Sequence, residues 1–502
     1  MPAKKAKKKT QSSSLKTKAK TATKKSRSKK PGTGAKKASG AKTAGPVVLL
    51  VNMIPKSLSG ESNQDSEPTI AVNPANPQQI AASAFTPDPH KGPLAPIYIS
   101  SDGGNTWMLN SIVPGANRST GTGDITLKFG KSSNVLYVGI LRGDSSTTRM
   151  NILRTKNFAG ATPMELLVDR SDVDQPYVQV ATVSSGPDKG KDRLYVGNND
   201  TSVVSGSTAT IDQSLNAASA TPNFKKIRIE SRQTPGQDGP PVRPSIHPDG
   251  TAYAIYHSWR SFNDQTGEGT ADVVVLRDDS GGSGPKPFTD LVDSTDNKSG
   301  VRVALDTKFN FSGFLGLQRT GGDVALAVDP TNSSLVYIAY NDDHGADYML
   351  HLLRSTDRGK TWSTDLRTLR NALNPALAIN NAGKLGFLYQ QLTGTGAGQR
   401  WVTKLELTTN GSNWTTLTLA KTPADTPAAK FDPYLGDYAH LMSVGSDFYG
   451  IFSANNMPKK TNFPSGVVYQ RNANFTNNTL LDVDNATPVH VSIDPFFLKV
   501  TG

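Results

Sequence analysis

Two octapeptides that lie 255 positions apart share the pattern Ser-x-Asp-x-Gly-x-Thr-Trp, and this repetition constrains the fold more than any other feature of the chain. The Asp of such a segment can accept hydrogen bonds from backbone N–H groups a few residues on, and Gly tolerates positive φ. The Trp supplies a large apolar anchor. Each octapeptide therefore predicts a hairpin turn with a structural role, formed by Ser100, Asp102, Gly104, Thr106 and Trp107 in one copy and by Ser355, Asp357, Gly359, Thr361 and Trp362 in the other. A degenerate third copy occupies residues 408–414.

A second repeat, at residues 70–80 and 326–336, is typical of a strand, a turn that contains Asn-Pro or Asp-Pro, and a second strand. Beyond Gly45, short runs of Val, Ile, Ala, Tyr and Leu alternate with Gly, Pro, Asn and Asp, and no long amphipathic helix is evident. This pattern predicts an all-β domain. We expect the domain to consist of seven repeated units, and the first strand of each to begin with a polar residue or an acid-Pro pair. These beginnings are Glu67-Pro68, Asp124, Asp174-Gln175-Pro176, Arg243-Pro244, Asp323, Asn374-Pro375 and Asp432-Pro433.

The octapeptides resemble the Asp box, or BNR repeat, of the sialidase-like β-propellers. The resemblance extends over about residues 60–475 and implies a β-propeller whose Asp boxes lie at the outer hairpins, on the face away from the ligand pocket. The seven units favour seven blades, with the six blades of true sialidases as the alternative. Val47–Val51 or Val489–Ile493 could supply the strand that closes the ring.

Residues 1–45 differ in composition from the domain predicted for residues 46–502. They contain fifteen Lys, Arg27 and no acidic residue, whereas the rest of the chain has 39 basic and 42 acidic residues. A segment so poor in apolar residues is expected to be disordered. Its many lysines favour salt-sensitive binding to a polyanion, either nucleic acid or an anionic surface. A solubilising, targeting or packaging extension is the alternative.

The absence of cysteine excludes disulfides, thiol catalysis and thiolate metal sites. The chain has no run of 18 apolar residues, which is about the length that a membrane-spanning helix needs. No conventional signal peptide is recognisable, so a cytoplasmic location and non-classical export both stay open. We expect a monomeric propeller.

Acidic residues at the beginnings of the first strands predict a partial carboxylate ring at the mouth of the propeller channel. Glu67, Asp124, Asp174, Asp323 and Asp432 would form it, with Arg243 as the basic member. Like charges so close raise the pKa of some carboxyls unless a cation intervenes. Glu67, Asp174 and Asp432 are therefore candidate acids and bases, although each carboxylate could instead cap its own turn.

The segment at residues 432–438, Asp-Pro-Tyr-Leu-Gly-Asp-Tyr, resembles one found in many sialidase-like BNR proteins. Sialidases use a Tyr nucleophile, an Asp acid and three Arg that bind the substrate carboxylate. The resemblance makes Tyr434 a candidate nucleophile. The Arg segment expected near the first blade is missing, so the Arg residues would have to come from Arg243, Arg260, Arg319 and Arg471. The candidate ligand-binding residues are Arg243, His257, Trp259, Asp437 and Tyr438.

These features favour a propeller that engages a glycan, with glycoside hydrolysis at the channel mouth as the enzymatic hypothesis. The alternative is a non-catalytic binding or structural propeller tethered through its basic tail. The sequence requires no cofactor and assigns no metal site. A structural divalent cation is compatible with the loops at residues 342–344 and 482–485, which are rich in potential ligands.

Overall fold

A computed structural model describes residues 45–85, 97–115, 122–132, 134–143, 148–202, 208–232, 239–312, 315–345 and 347–501. The tail predicted to be disordered lies outside these residues, apart from Gly45. Residues Pro46–Gly502 form one compact unit. Its described part contains 32 strands and three short 3-10 helices, at Lys56–Leu58, Gly396–Gly398 and Lys460–Asn462. Among the described residues, no helix has the length and apolar character needed to cross a membrane.

Strand β1 (Val47–Asn52) precedes six antiparallel sheets of four strands, in each of which spatial order follows chain order. Sheet I consists of β2 (Ser66–Val72), β3 (Ile80–Phe85), β4 (Ile97–Ser100) and β5 (Met108–Asn110). Sheet II consists of β6 (Thr122–Phe129), β7 (Leu136–Gly143), β8 (Thr148–Thr155) and β9 (Glu165–Ser171). Sheet III consists of β10 (Val173–Thr182), β11 (Asp192–Asp200), β12 (Ala209–Ser214) and β13 (Lys225–Arg228).

Sheets IV to VI repeat this arrangement. Sheet IV consists of β14 (Gly239–Ile246), β15 (Ala252–Phe262), β16 (Glu268–Asp278) and β17 (Val301–Asn310). Sheet V consists of β18 (Ala325–Asp329), β19 (Asn332–Asp343), β20 (Tyr348–Ser355) and β21 (Arg367–Arg370). Sheet VI consists of β22 (Ala372–Ile379), β23 (Leu385–Thr393), β24 (Arg400–Thr408) and β25 (Thr415–Pro423).

Sheet VII joins strands from both ends of the described chain. It contains β26 (His440–Val444), β27 (Asp447–Asn455) and β28 (Val468–Tyr469). A separate small sheet follows, formed by β29 (Ala473–Asn474), β30 (Thr479–Leu481) and β31 (Pro488–Val489). The last strand, β32 (Ile493–Thr501), returns to sheet VII and pairs with both β27 and β1. Of the two segments expected to supply a closing strand, Val47–Val51 lies within β1.

The sheets are held together by their first strands and by apolar clusters between neighbours. Each first strand contacts the next one along the chain, in the order β2, β6, β10, β14, β18, β22 and β26. Strand β26 also contacts β2. Each pair of adjacent sheets shares an apolar cluster. Four-stranded sheets that pack face to face around their first strands have the topology of a β-propeller. The predicted all-β fold and propeller architecture are confirmed.

The two octapeptides form the same turn, between β4 and β5 and between β20 and β21. Thr106 donates its backbone N–H to Asp102 Oδ1 at 2.9 Å and its hydroxyl to Oδ2 at 2.6 Å, and Thr361 repeats both bonds to Asp357 at the same distances. The turn of sheet I is tied to the connection between its first two strands, because Gly103 N–H donates to the Gln78 carbonyl at 3.0 Å. The octapeptides therefore lie at the end of the first strands opposite to the predicted carboxylates.

Candidate functional site

Five of the first strands begin with a β-bulge. In sheet I the register between β2 and β3 shifts between Ser66 and Thr69, and β6, β10, β14 and β22 show equivalent shifts. Glu67, Gln175 and Asn374, each followed by Pro, adopt positive φ at these bulges. A bulge breaks the regular alternation of side chains and accommodates Pro, which cannot donate to the ladder. The polar-Pro pairs noted in the sequence thus mark the positions where a β-bulge changes the direction of the side chains.

At this end of the first strands, six side chains form a set that we call the carboxylate cluster: Glu67, Asp124, Asp174, Arg319, Asp437 and Tyr438. Glu67 Oε1 accepts the backbone N–H of Asp437 at 3.2 Å. Tyr438 donates its hydroxyl to Asp124 Oδ1 at 3.1 Å. Arg319 donates from Nε to Asp437 Oδ1 at 2.6 Å and makes a second bond to Oδ2. The cluster therefore brings together sheets I, II and III and the segments that precede sheets V and VII.

Burial and mutual repulsion favour the protonated forms of two of these carboxyls. Burial is the main cause that raises the pKa of Glu67 well above its usual value, and the charges of Asp124 and Asp437 raise it further. Burial, assisted by the charge of Asp124, also raises the pKa of Asp174 to about 6, against the lowering effect of Arg319. Asp174 is partly exposed as a residue.

Arg243 lies beside the cluster in a second ion pair. It donates from Nε to Asp323 Oδ1 at 2.9 Å, and its guanidinium carbon lies 4.2 Å from the ring centroid of Tyr177 and 5.3 Å from that of Tyr438. Burial raises the pKa of Asp323 to about 7 despite this ion pair. Tyr177 also lies 3.4 Å, hydroxyl to Nε2, from His440. Arg243, the predicted basic member of the ring, therefore already contacts a carboxylate and two aromatic rings.

The space between the first strands, which we call the central channel, widens toward the opposite end. A cavity of about 530 Å³ there is lined by residues of all seven first strands, among them Lys128, Leu326 and Met442. A smaller cavity of about 20 Å³ shares Tyr177 and Leu326 with it and reaches Arg243, Asp323 and His440. Burial lowers the pKa of Lys128 to about 8 and that of His440 to about 3. The channel is therefore narrow at the ion pair of Arg243 and Asp323, which lies between the carboxylate cluster and the larger cavity.

Two predicted catalytic residues lie outside the cluster. Asp432 is exposed, and its predicted place among the carboxylates is taken by Asp437, which is 2 % exposed. The interpretation of Asp432-Pro433 as a strand beginning was wrong because the first strand of sheet VII begins only at His440. Tyr434 is fully buried in an apolar cluster with Leu373 and Trp401, and burial raises its pKa well above the usual value. Tyr438 instead reaches the carboxylates.

Two of the predicted ligand-binding residues are packed within the sheets. Trp259 is 4 % exposed and contacts Phe262, Phe309 and Phe311, with ring centroids 4.6 to 5.6 Å away. It offers no open aromatic face for a sugar. His257 is 2 % exposed, and burial lowers its pKa to about 4. Neither of these two side chains of β15 is therefore open to solvent.

The candidate Arg residues divide between the site and distant ion pairs. Arg243 and Arg319 belong to the site, whereas Arg260 pairs with Asp272 at 2.7 Å and Arg471 pairs with Asp494 at 2.7 Å. Each of the four already faces a carboxylate, so these four described residues do not supply a free group of three Arg. Tyr177 and His440 were missed by the sequence reasoning, although Tyr177 directly follows the Asp-Gln-Pro bulge.

The described residues contain one group of side chains whose ligand atoms converge as a metal site would require: Asp342, His344 and His351. His351 was not among the residues singled out in the sequence. The second loop expected to suit a cation, at residues 482–485, has its Asp484 engaged by the backbone N–H of Thr487 at 2.9 Å and by the Thr487 hydroxyl.

No protein-family model matches the chain. No curated protein sequence matches it either. Among solved structures, a GH74 enzyme of Niastella koreensis is similar with a TM-score of 0.37 and 13% identity, and the alignment covers 80% of this chain and 64% of that one. A PL25 ulvan lyase gives a TM-score of 0.46 with 12% identity over 80% of this chain and 93% of the lyase. The protein YCF48 bound to a D1 peptide gives 0.38 with 9% identity over 82% and 95% of the respective chains. Likeness at this level carries no information about activity.

Proposed function

We propose that the described domain is a closed seven-bladed propeller of the sialidase-like type that binds a glycan at the carboxylate cluster and hydrolyses a glycosidic bond there. The contacts of β26 with β2 and the pairing of β1 with β32 support the closed ring. The repeated octapeptide turn supports the relationship to Asp-box propellers. The observation that carries the catalytic hypothesis is the set of adjacent carboxyls in which Glu67 and Asp174 have raised pKa values.

Glycoside hydrolysis needs one protonated carboxyl and one carboxylate near the scissile bond. Asp174 fits the acid, because its pKa of about 6 keeps a proton available near neutral pH and the residue is partly exposed. It would protonate the leaving oxygen. Asp124 fits the carboxylate base that activates water on the opposite side of the sugar, and the Glu67 carboxyl, whose raised pKa favours its protonated form, positions it by donating a hydrogen bond to it.

Arg319 fits a substrate-binding role within this site. Its side chain is 29 % exposed, whereas that of its partner Asp437 is 2 % exposed. The buried carboxylate holds the guanidinium in one orientation, and N–H donors not used in the pair remain for a hydroxyl or carboxylate of the glycan. A sialic acid substrate is less favoured than a neutral glycan, because the three-Arg clamp and the Tyr434 nucleophile are not assembled.

The test is to incubate the full chain and its variants with a mixed library of natural glycans at high salt, which suppresses binding by the tail. Products are then detected by mass spectrometry. We expect shortened glycans from the unaltered chain and about a 100-fold lower rate for Asp174→Asn and for Asp124→Asn. Asp432→Asn is the matched control, since this exposed acid lies outside the cluster. Undiminished hydrolysis by both cluster variants would refute the assignment.

A non-catalytic propeller is the second candidate, and the ion pairs favour it. Arg243 with Asp323 and Arg319 with Asp437 connect different parts of the ring, as a purely structural network would. In that case the lysine-rich residues 1–45 would tether the propeller to nucleic acid or an anionic surface. An unchanged glycan library, combined with salt-sensitive binding of DNA that is lost in a chain beginning at Pro46, would favour this candidate.

A further inference from the structure

The register of sheet V places three metal-ligating side chains on one face. Tyr340 pairs with His351 and Asp342 pairs with Met349 across β19 and β20. Because side chains alternate along a strand, Asp342 and His351 are diagonal neighbours on the same face, within reach of each other. His344 follows two positions after Asp342 and returns to that face. One potential ligand atom from each of the three residues lies within 4.8 Å of the other two.

The carboxylate of Asp342 is oriented toward the two imidazoles. Its Oδ1 accepts the backbone N–H of Lys308 at 2.9 Å, which fixes the side chain. Its Oδ2 lies 3.1 Å from Nε2 of His344. The side chains of Asp342 and His344 are 21 % and 55 % exposed, so an ion can reach them from solvent.

His351 carries the feature that an ordinary surface ion pair does not explain. Its Nδ1 lies 2.7 Å from Asp365 Oδ2, and its ring stacks on Tyr340 with centroids 5.0 Å apart. The other nitrogen, Nε2, is buried without a hydrogen-bond partner among the described residues. An imidazole that donates Nδ1–H to a carboxylate has a lone pair at Nε2, which is the arrangement of a metal-ligating histidine. A buried nitrogen left unpaired is otherwise unfavourable.

We propose that Asp342, His344 and His351 bind one divalent transition-metal ion, with Asp365 as the residue that positions His351. Two imidazoles and one carboxylate suit Zn²⁺ and its first-row neighbours, whereas Ca²⁺ and Mg²⁺ prefer all-oxygen sites. Three protein ligands leave a coordination position for water or a ligand group. This site is separate from the carboxylate cluster, and the proposal does not depend on glycan hydrolysis.

The experiment is calorimetric titration of the full chain, freed of metal with a chelator, with ZnCl₂ and in parallel with CaCl₂. We expect one Zn²⁺ bound per chain, no binding of Ca²⁺ at this site, and a visible spectrum of the Co²⁺ form that reports nitrogen and oxygen ligands. His344→Ala and His351→Ala are each expected to weaken Zn²⁺ binding about 100-fold, and Asp365→Asn about 10-fold.

His490→Ala is the matched control, because this exposed histidine lies on another part of the chain. Its Zn²⁺ affinity and stoichiometry should equal those of the unaltered chain. Since His344 is 55 % exposed, its replacement leaves the packing of sheet V intact and keeps the test valid if His351→Ala folds poorly. The proposal is overturned if the unaltered chain binds no Zn²⁺, if His344→Ala binds it with undiminished affinity, or if His490→Ala loses it equally.

Discussion

Arg243 and Asp323 form an ion pair at 2.9 Å between the first strand of sheet IV and the segment that leads into sheet V, and their side chains are 5 % and 4 % exposed. Burial removes both groups from water, so each depends on the other for compensation of its charge. Tyr177 of sheet III and Tyr438, which precedes sheet VII, cover the guanidinium. This arginine of sheet IV therefore contacts groups from three other parts of the ring.

Removing this arginine should destabilise the domain in a pH-dependent way. We expect Arg243→Met to lower the free energy of unfolding by about 3 kcal/mol at pH 8, because Asp323 is left buried without its partner. The loss should be smaller at pH 5, where Asp323 takes up a proton. Urea denaturation at both pH values measures this. Arg149→Met is the control, since Arg149 and Asp169 are 36 % and 42 % exposed and such pairs contribute about 0–1 kcal/mol. Equal losses in the two variants would contradict the prediction.

Asp174 should make stability fall as the pH rises. Its folded-state pKa of about 6 lies above the ordinary value of 3.8, so the folded chain binds the proton more tightly than the unfolded chain. The stabilising contribution is therefore complete below about pH 4 and is lost as the pH rises through about 6. The Asp174→Asn variant lacks this titratable carboxyl. Relative to the unaltered chain, the variant should gain about 2 kcal/mol between pH 4 and pH 7, measured by urea unfolding at each pH. A difference that stays constant with pH would show that Asp174 does not titrate in this range.

The octapeptide turns should affect stability without affecting the site. Asp102 and Asp357 each accept the same two hydrogen bonds from a Thr, so replacement of either by Ala should lower the free energy of unfolding by about 1 kcal/mol. The two losses should add, because the turns belong to different sheets. Thermal unfolding of the single and double variants, with the exposed turn residue Asp264→Ala as control, measures them. Loss of glycan products in either variant would contradict a purely structural role.

Gly104 should tolerate substitution less well than another glycine of similar conformation. It adopts φ +92, and a Cβ there would lie 2.1 Å from the Phe497 ring of sheet VII. Gly186 has φ +74 with no atom within 4 Å. We expect Gly186→Ala to cost about 1 kcal/mol through backbone strain alone, and Gly104→Ala about 3 kcal/mol, because the contact between sheets I and VII must also shift. Chemical denaturation of both variants distinguishes strain from collision, and similar costs would argue against the collision.

The propeller class and the octapeptide turns were predictable because they depend on local chemistry. Alternating apolar residues between Gly, Pro, Asn and Asp predict short strands, and the bonds from Thr106 to Asp102 span only four positions. The polar-Pro pairs that mark the bulges at Glu67, Gln175 and Asn374 are equally local. Such features follow from neighbours along the chain and need no knowledge of distant segments.

The membership of the site was decided only by tertiary structure. Asp437 rather than Asp432 meets Glu67, which lies 370 positions away, and Arg319 reaches the cluster from the segment that precedes sheet V. The bulge geometry and the start of sheet VII at His440 determine which acid of a local run turns inward, and spacing alone does not distinguish them. Likewise, the alignment of His351 with Asp342 depends on the register of one hairpin. Local sequence specifies strands and turns, whereas burial and the pairing of distant charges determine which side chains meet.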